Sequence, residues 1–177
     1  LNQGIIASLL QSIVSTSDCA GWRLERLNFT LDNISDGKSI GDSVSTVFGV
    51  RTVDMEPGKN GPKEDEYNWK FVINGRPMFV KGANWCTLDA MMRFEKDRYD
   101  RFLSLARESH IQMLRPWGSG MVETDEFYDL ADRYGILVMQ EWPTAWNSHK
   151  DQPYDLLEET VRDNTLRLRN HPSLVIW

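Results

Sequence analysis

MFVKGANW (Met78–Trp85), IQMLRPWG (Ile111–Gly118), ILVMQEW (Ile136–Trp142) and SLVIW (Ser173–Trp177) are four apolar, β-rich runs placed at nearly even intervals along the second half of the chain. The spacing predicts strands over Met78–Lys81, Ile111–Leu114, Ile136–Met139 and Leu174–Trp177. A helical pattern follows each of the first three. Asp97–Ser109 gathers Tyr99, Phe102, Leu103, Leu105 and Ala106 mostly on one face. Thr124–Tyr134 opens on a capping residue with Asp125 and Glu126 in its first turn and stops at Gly135. Tyr154–Arg169 carries Leu156, Leu157, Val161, Leu166 and Leu168, and Pro172 prevents its continuation. Strand and helix alternating in this way predict right-handed βαβ units and a parallel sheet. Polar and aromatic residues cluster directly after the apolar runs, as Gly82-Ala83-Asn84-Trp85, Arg115-Pro116-Trp117-Gly118 and Gln140-Glu141-Trp142. The carboxyl edge of a parallel sheet is where ligands bind, so the chemistry is expected there.

Upstream the pattern changes. Trp22–Leu31 alternates imperfectly and reads as a strand with one wet face, Asp36-Gly37-Lys38 supplies a turn, and Val44–Val53 is a β-branched second strand. Leu1–Gly21 shows no clean period. Glu56–Glu66 carries two Pro and two Gly among charged residues and reads as a linker. Beyond it Trp69–Ile73 and Pro77–Val80 flank Asn74-Gly75-Arg76, the signature of a tight hairpin.

Composition narrows the function classes. A formal charge of -6 with no basic face argues against a nucleic-acid partner. No apolar run reaches the roughly 20 residues of a bilayer span, so no membrane partner is expected. Cys19 and Cys86 make neither a metal spacing nor a disulfide framework, and His110, His149 and His171 are dispersed, so no metal site is expected. Asn28-Phe29-Thr30 and Asn33-Ile34-Ser35 fit the N-glycosylation acceptor pattern and point towards an extracytoplasmic or secreted protein. The oligomeric state is left open.

Five ordered blocks carry a family resemblance. Asp42–Val53 resembles the last strand of the immunoglobulin-like domain of glycoside hydrolase family 2, and Ile73–Trp85 resembles the hairpin and first strand of that family's catalytic barrel. Leu114–Gly120, Phe127–Val138 and Arg169–Trp177 continue the match in order. Asn84-Trp85 and Trp117-Gly118-Ser119-Gly120 are more similar to the β-mannosidase and exo-β-glucosaminidase branch than to β-galactosidases. The resemblance implies an α/β fold in which residues 1–56 end an immunoglobulin-like β-sandwich, 57–66 form a linker, and 67–177 form the first four strands of a (β/α)8 TIM barrel. The implied activity is retaining hydrolysis of terminal β-linked sugars, a β-mannoside or β-glucosaminide first, with a carbohydrate as the partner and no organic cofactor. A β-galactosidase or β-glucuronidase of the same family and a non-catalytic carbohydrate-binding relative are the alternatives. The family's acid/base is the Glu of an Asn-Glu pair beyond the fourth strand and its nucleophile follows the seventh. Both are expected beyond Trp177, so the chain alone is expected to be inactive and to expose an apolar edge.

Six residues are candidates for binding the sugar: Asn84, Trp85, Arg115, Trp117, Glu141 and Trp142. Arg115 carries a permanent charge whose fork can orient carboxylates, against the alternative of a buried salt bridge. Asn84 offers both donor and acceptor to a hydroxyl, or stabilises a turn. Glu141 is one of a catalytic pair about 5 Å apart, a hydrogen-bond partner of a hydroxyl or an Arg, or a structural ion. The indoles of Trp85, Trp117 and Trp142 suit the apolar face of a pyranose, or pack in the core. Asp89 is a weaker candidate that could cap the following segment.

Overall fold

The computed structural model of the protein describes residues 4–16, 23–35, 38–58 and 69–177, with side chains for 24–28, 43–58, 69–146 and 150–177. Cys19, the Asp36-Gly37 turn, linker residues 59–66 and the His149 side chain lie outside the described residues. Among the described residues ten strands make up three sheets, accompanied by three α-helices. Strands β1 (Gly4–Thr16), β2 (Arg23–Ser35) and β3 (Lys38–Val50) make an antiparallel meander, with Arg23 opposite Val50 and Ser35 opposite Lys38. Leu1–Gly21, which shows no clean period in the sequence, therefore holds strand β1 over Gly4–Thr16.

The expected strand Val44–Val53 is broken at Arg51-Thr52, and the break has a physical cause. Arg51 turns out of line so that its Nε donates to Pro172 O at 2.7 Å and its Nη2 to Leu174 O. Thr52 is held to Asn74 by two bonds, its N–H to Asn74 Oδ1 at 2.9 Å and its carbonyl from Asn74 N at 3.1 Å. Beyond the break β4 (Val53–Pro57) pairs with β5 (Trp69–Ile73), which pairs with β6 (Arg76–Met78). Asn74 and Gly75 take φ of 50° and 73°, the left-handed pair that a two-residue hairpin turn requires.

The parallel sheet runs β7 (Gly82–Trp85), β8 (Met113–Pro116), β9 (Leu137–Met139) and β10 (Leu174–Ile176), neighbours in space being neighbours in sequence. The first of these strands starts four residues later than the sequence suggests. Arg76–Met78 is claimed by the hairpin, and the ladder with β8 opens at Gly82 opposite Met113. The second strand shifts two residues in the same direction.

Alternation along these strands divides two cores. Leu114, Val138 and Leu174 face α1 (Lys96–Glu108) and α2 (Asp125–Tyr134), and pack with Tyr99, Leu103, Phe127, Tyr128 and Ile136. Met113 and Leu137 point the other way and meet Ile73 from the hairpin and Leu24 from β2. The hairpin and the meander thus close the amino end of the sheet's second face and leave its carboxyl end free. Helix α2 has Thr124 at its N-cap, as the sequence suggests, but without a capping bond from the hydroxyl. Helix α3 (Tyr154–Leu168) buries only Leu168, while Leu156 and Leu166 of its expected apolar stripe are exposed. Cys86 is a free, exposed thiol. Among the described residues no helix is long and apolar enough to cross a membrane.

Candidate functional site

Register brings the inner residues together. Asn84 on β7 lies opposite Arg115 on β8, both on the face shared with Met113. Arg115 Nη1 donates to Asn84 Oδ1 at 3.0 Å. Its other two donors converge on one oxygen of Glu141, Nε at 2.8 Å and Nη2 beside it. The second Glu141 oxygen accepts the Gly118 N–H at 2.8 Å. Both carboxylate oxygens are therefore engaged, which suits an orienting anion rather than an attacking one. The approach of Glu141 to the β8 loop also explains Gly118, because a Cβ there would stand 2.5 Å from Trp142 O and 3.2 Å from Glu141 Oε2.

The Glu141 backbone is held from behind by a residue that sequence reasoning did not single out. Gln140 is 1% exposed, and its Nε2 donates to Glu141 O at 2.7 Å while its Oε1 accepts the Tyr128 hydroxyl proton. Burial first of all pushes the Tyr128 hydroxyl well above its ordinary pKa, so it stays a donor. The Gln140 N–H reaches Ile176 O at 3.0 Å, which fastens the end of β9 to β10. A buried amide at a strand end is a weak signal, since only its partners reveal the role.

Arg115 and Glu141 form the floor of a cavity of about 450 Å³ walled by Trp117, Trp142, Thr144, Ala145, Trp146 and Trp177. Trp142 and Trp177 stack with ring centroids 4.5 Å apart and planes 7° from parallel. Of the six candidates the structure gathers Asn84, Arg115, Trp117, Glu141 and Trp142 at this edge. It places Trp85 elsewhere. Trp85 points into the helix-facing core, where its Nε1–H donates to Glu123 Oε1 at 2.9 Å and its ring lies 5.1 Å from that of Phe127. Glu123, 1% exposed, also accepts the Tyr99 hydroxyl. Asp89 is likewise occupied locally, taking hydrogen bonds from Arg93, Arg98 and the Met91 N–H. Hydrogen bonding from Arg93 holds its carboxyl below the usual carboxylate range.

One group of described residues has the makings of a cation site. Asp129, Asp132 and His171 bring their ligand atoms within 4.8 Å of one another near the β2–β3 meander. Asp132 is already committed there, to His171 Nδ1 at 2.7 Å and to Ser173 N at 2.9 Å. The arrangement acts as a clamp on the turn that enters β10.

Comparison with known proteins bears on this edge. No family model matches the chain. The chain is 34% identical over 139 residues to β-mannosidase B of Emericella nidulans and 36% identical over 132 residues to the β-mannosidase of Capra hircus. Those matches cover 76% and 72% of this chain. The mannosylglycoprotein endo-β-mannosidase of Lilium longiflorum is 34% identical over 152 residues, or 79% of the chain. These matches support a place for the chain in glycoside hydrolase family 2. It spans 15–16% of the length of these relatives. Among solved structures, the β-D-mannosidase of Dictyoglomus thermophilum aligns over 99% of the chain and 29% of its own, with a TM-score of 0.56 and 22% identity. The β-glucuronidase of Parabacteroides merdae aligns over 92% of the chain and 19% of its own, at 0.65 and 19%. At such identities the likeness is one of fold, and it runs over nearly the whole chain.

Proposed function

We propose that this chain supplies part of the sugar-binding face of a retaining β-glycosidase that hydrolyses terminal β-mannosides, with β-glucosaminides as the related substrate. The observation that carries the reading is the neutral floor of the cavity. Among the described residues one guanidinium lines it, that of Arg115, with Nε and Nη2 on Glu141 and Nη1 on Asn84. A uronic acid requires an unmatched cation for its carboxylate, whereas a neutral pyranose requires paired donors and acceptors below it and indole faces beside it. In this reading residues 67–177 are the first half of a (β/α)8 barrel, with the immunoglobulin-like sandwich ending near residue 56 and the two joined by 57–66. The relatives' names and the acceptor triplets Asn28-Phe29-Thr30 and Asn33-Ile34-Ser35 support a carbohydrate partner and an extracytoplasmic setting.

The chemistry follows from the face. Retaining hydrolysis places one carboxyl group to protonate the leaving oxygen and a second, about 5 Å away, to attack the anomeric carbon. Neither role falls to Glu141, whose oxygens are held by Arg115 and Gly118. We assign both to other residues of the whole barrel. Arg115, fixed by Glu141 and Asn84, orients that pair and keeps the attacking carboxylate ionised, while the other carboxyl group holds the proton that it delivers to the leaving oxygen. Trp117 and Trp142 exclude water from the sugar's apolar face. The test is turnover of aryl β-mannoside, β-glucosaminide, β-galactoside and β-glucuronide by the whole protein. A leading rate on the mannoside is expected. Preference for the glucuronide would overturn the reading, and sugar binding without turnover of any of them would favour a non-catalytic role.

A further inference from the structure

The cavity at the carboxyl edge is polar at its inner end and aromatic at its outer one. Arg115 and Glu141 lie at the inner end, and Trp142 and Trp177 each give one ring face to the other. Trp146 stands apart from this stack. It lines the same cavity, is 85% exposed, and has neither a ring partner nor a hydrogen-bond partner among the described residues. Its backbone takes φ of 57°, the left-handed region that bulky side chains adopt only under strain. The short 3-10 helix Ala145–Lys150 holds it there, beyond the tight turn in which Thr144 N reaches Trp142 O at 2.7 Å. The strain serves no packing among the described residues. Such strain collects where a ligand is met.

We infer that Trp146 is the outer-subsite residue of this site, receiving on its indole face the ring that follows the terminal sugar. Three observations converge on this. A volume of about 450 Å³ exceeds what one pyranose fills and lies in the range of pockets that take larger ligands. The exposure of Trp146 sets it at the open mouth, so the rest of a substrate whose terminal sugar sits over Arg115 passes it on the way out. Its free ring face is apolar and flat, matching the C–H face of a pyranose or an aromatic aglycone. Trp146 thereby determines how strongly the enzyme prefers an oligosaccharide to a simple glycoside. The inference rests on the β-mannosidase reading.

The experiment compares the whole protein with its Trp146→Ala and Trp146→Phe variants on methyl β-mannoside and β-1,4-mannotriose. The quantity read is the kcat/KM ratio of trisaccharide to methyl glycoside. Trp146→Ala should lower that ratio about tenfold, the equivalent of one ring contact, mainly through KM of the trisaccharide. Trp146→Phe should recover at least half of the loss, because a flat ring remains. An unchanged ratio, or equal losses on both substrates, would overturn the inference. Should the wild type ignore β-mannosides but turn over another β-glycoside, the proposed function fails, and the same ratio on that sugar's methyl glycoside and trisaccharide decides the role of Trp146 separately. Inactivity on every β-glycoside would overturn both.

Discussion

Replacing Glu141 with Gln preserves the shape of the side chain and removes the charge that balances Arg115. Two Arg115 donors and the Gly118 N–H meet this carboxylate. Hydrogen bonds to a charged group contribute about 1.5–3 kcal/mol and neutral ones about 0.5–1.5 kcal/mol. With the two side chains 37% and 26% exposed, solvent screens the difference, and a stability loss of about 1 kcal/mol is expected. The consequence for ligands is larger. The floor of the cavity passes from neutral to positive, and a sugar carboxylate about 4 Å from the guanidinium would gain about 4 kcal/mol at an effective dielectric of 20. Exposure and the carboxylate's own desolvation reduce this to about 1–2 kcal/mol, roughly tenfold in selectivity. The assay is kcat/KM of the whole enzyme on aryl β-glucuronide divided by that on aryl β-mannoside, a ratio from which any general loss of activity cancels. It should rise about tenfold in Glu141→Gln. An unchanged ratio in a variant that melts within a few degrees of the wild type would refute the argument that charge matching at Arg115 selects neutral sugars.

Arg115→Ala removes the orienting charge itself and should lower kcat/KM on the preferred glycoside by roughly two orders of magnitude, about 3 kcal/mol; wild-type kinetics and pH profile would remove Arg115 from the site. Trp85→Phe should act on stability rather than on sugar affinity, since it takes the indole donor from buried Glu123 at a cost of about 1–3 kcal/mol. A large rise in KM without a drop in melting temperature would instead put Trp85 at the sugar. A pH effect is expected at His171. Burial pulls its pKa down, but the hydrogen bond and charge of Asp132, with Asp129 and Asp125 nearby, outweigh burial and raise it above the ordinary value near 6.5. A raised folded-state value means that this contribution is complete below about pH 6.5 and is lost as pH climbs through the higher native value. Urea midpoints should therefore fall over that interval, and Asp132→Asn should flatten the dependence.

The helices and the hairpin are legible in the sequence because their signals are local. Tyr99, Leu103 and Ala106 recur at helical spacing and are the buried residues of α1, and Asn74-Gly75 takes the positive φ pair that its residue types favour. Strand β1 is not legible, because its apolar doublets Ile5-Ile6, Leu9-Leu10 and Ile13-Val14 recur every four residues, a spacing that suits one face of a helix better than the alternation of a strand. Strand β7 was displaced for a different reason. Gly-Ala-Asn-Trp is a poor β sequence on its own, and pairing with Met113–Pro116 rather than intrinsic preference makes it a strand. That displacement also decides where Trp85 points. Beyond a strand end Asn84 and Trp85 could both face the ligand. Inside a strand they must point to opposite faces, and Asn84 takes the side of Arg115. The pairing of Arg115 with Glu141 joins residues 26 positions apart, and the sequence could offer it only as one role among several.

The bonds from Arg51 to the carbonyls of Pro172 and Leu174 span 121 and 123 residues of chain, whereas the parallel strands join in the order in which they are synthesised. Each new strand of that sheet finds its partner already in place, and only a short loop must close. The meander forms its own ladders early but cannot dock until β10 and the turn before it exist. The Arg51 contacts therefore form after the strand pairings that they join. A change at Arg51 should accelerate unfolding while leaving the refolding rate nearly unaltered, as expected for contacts absent from the transition state. On this path the meander behaves as a latch, applied to the amino end of a sheet that assembled without it.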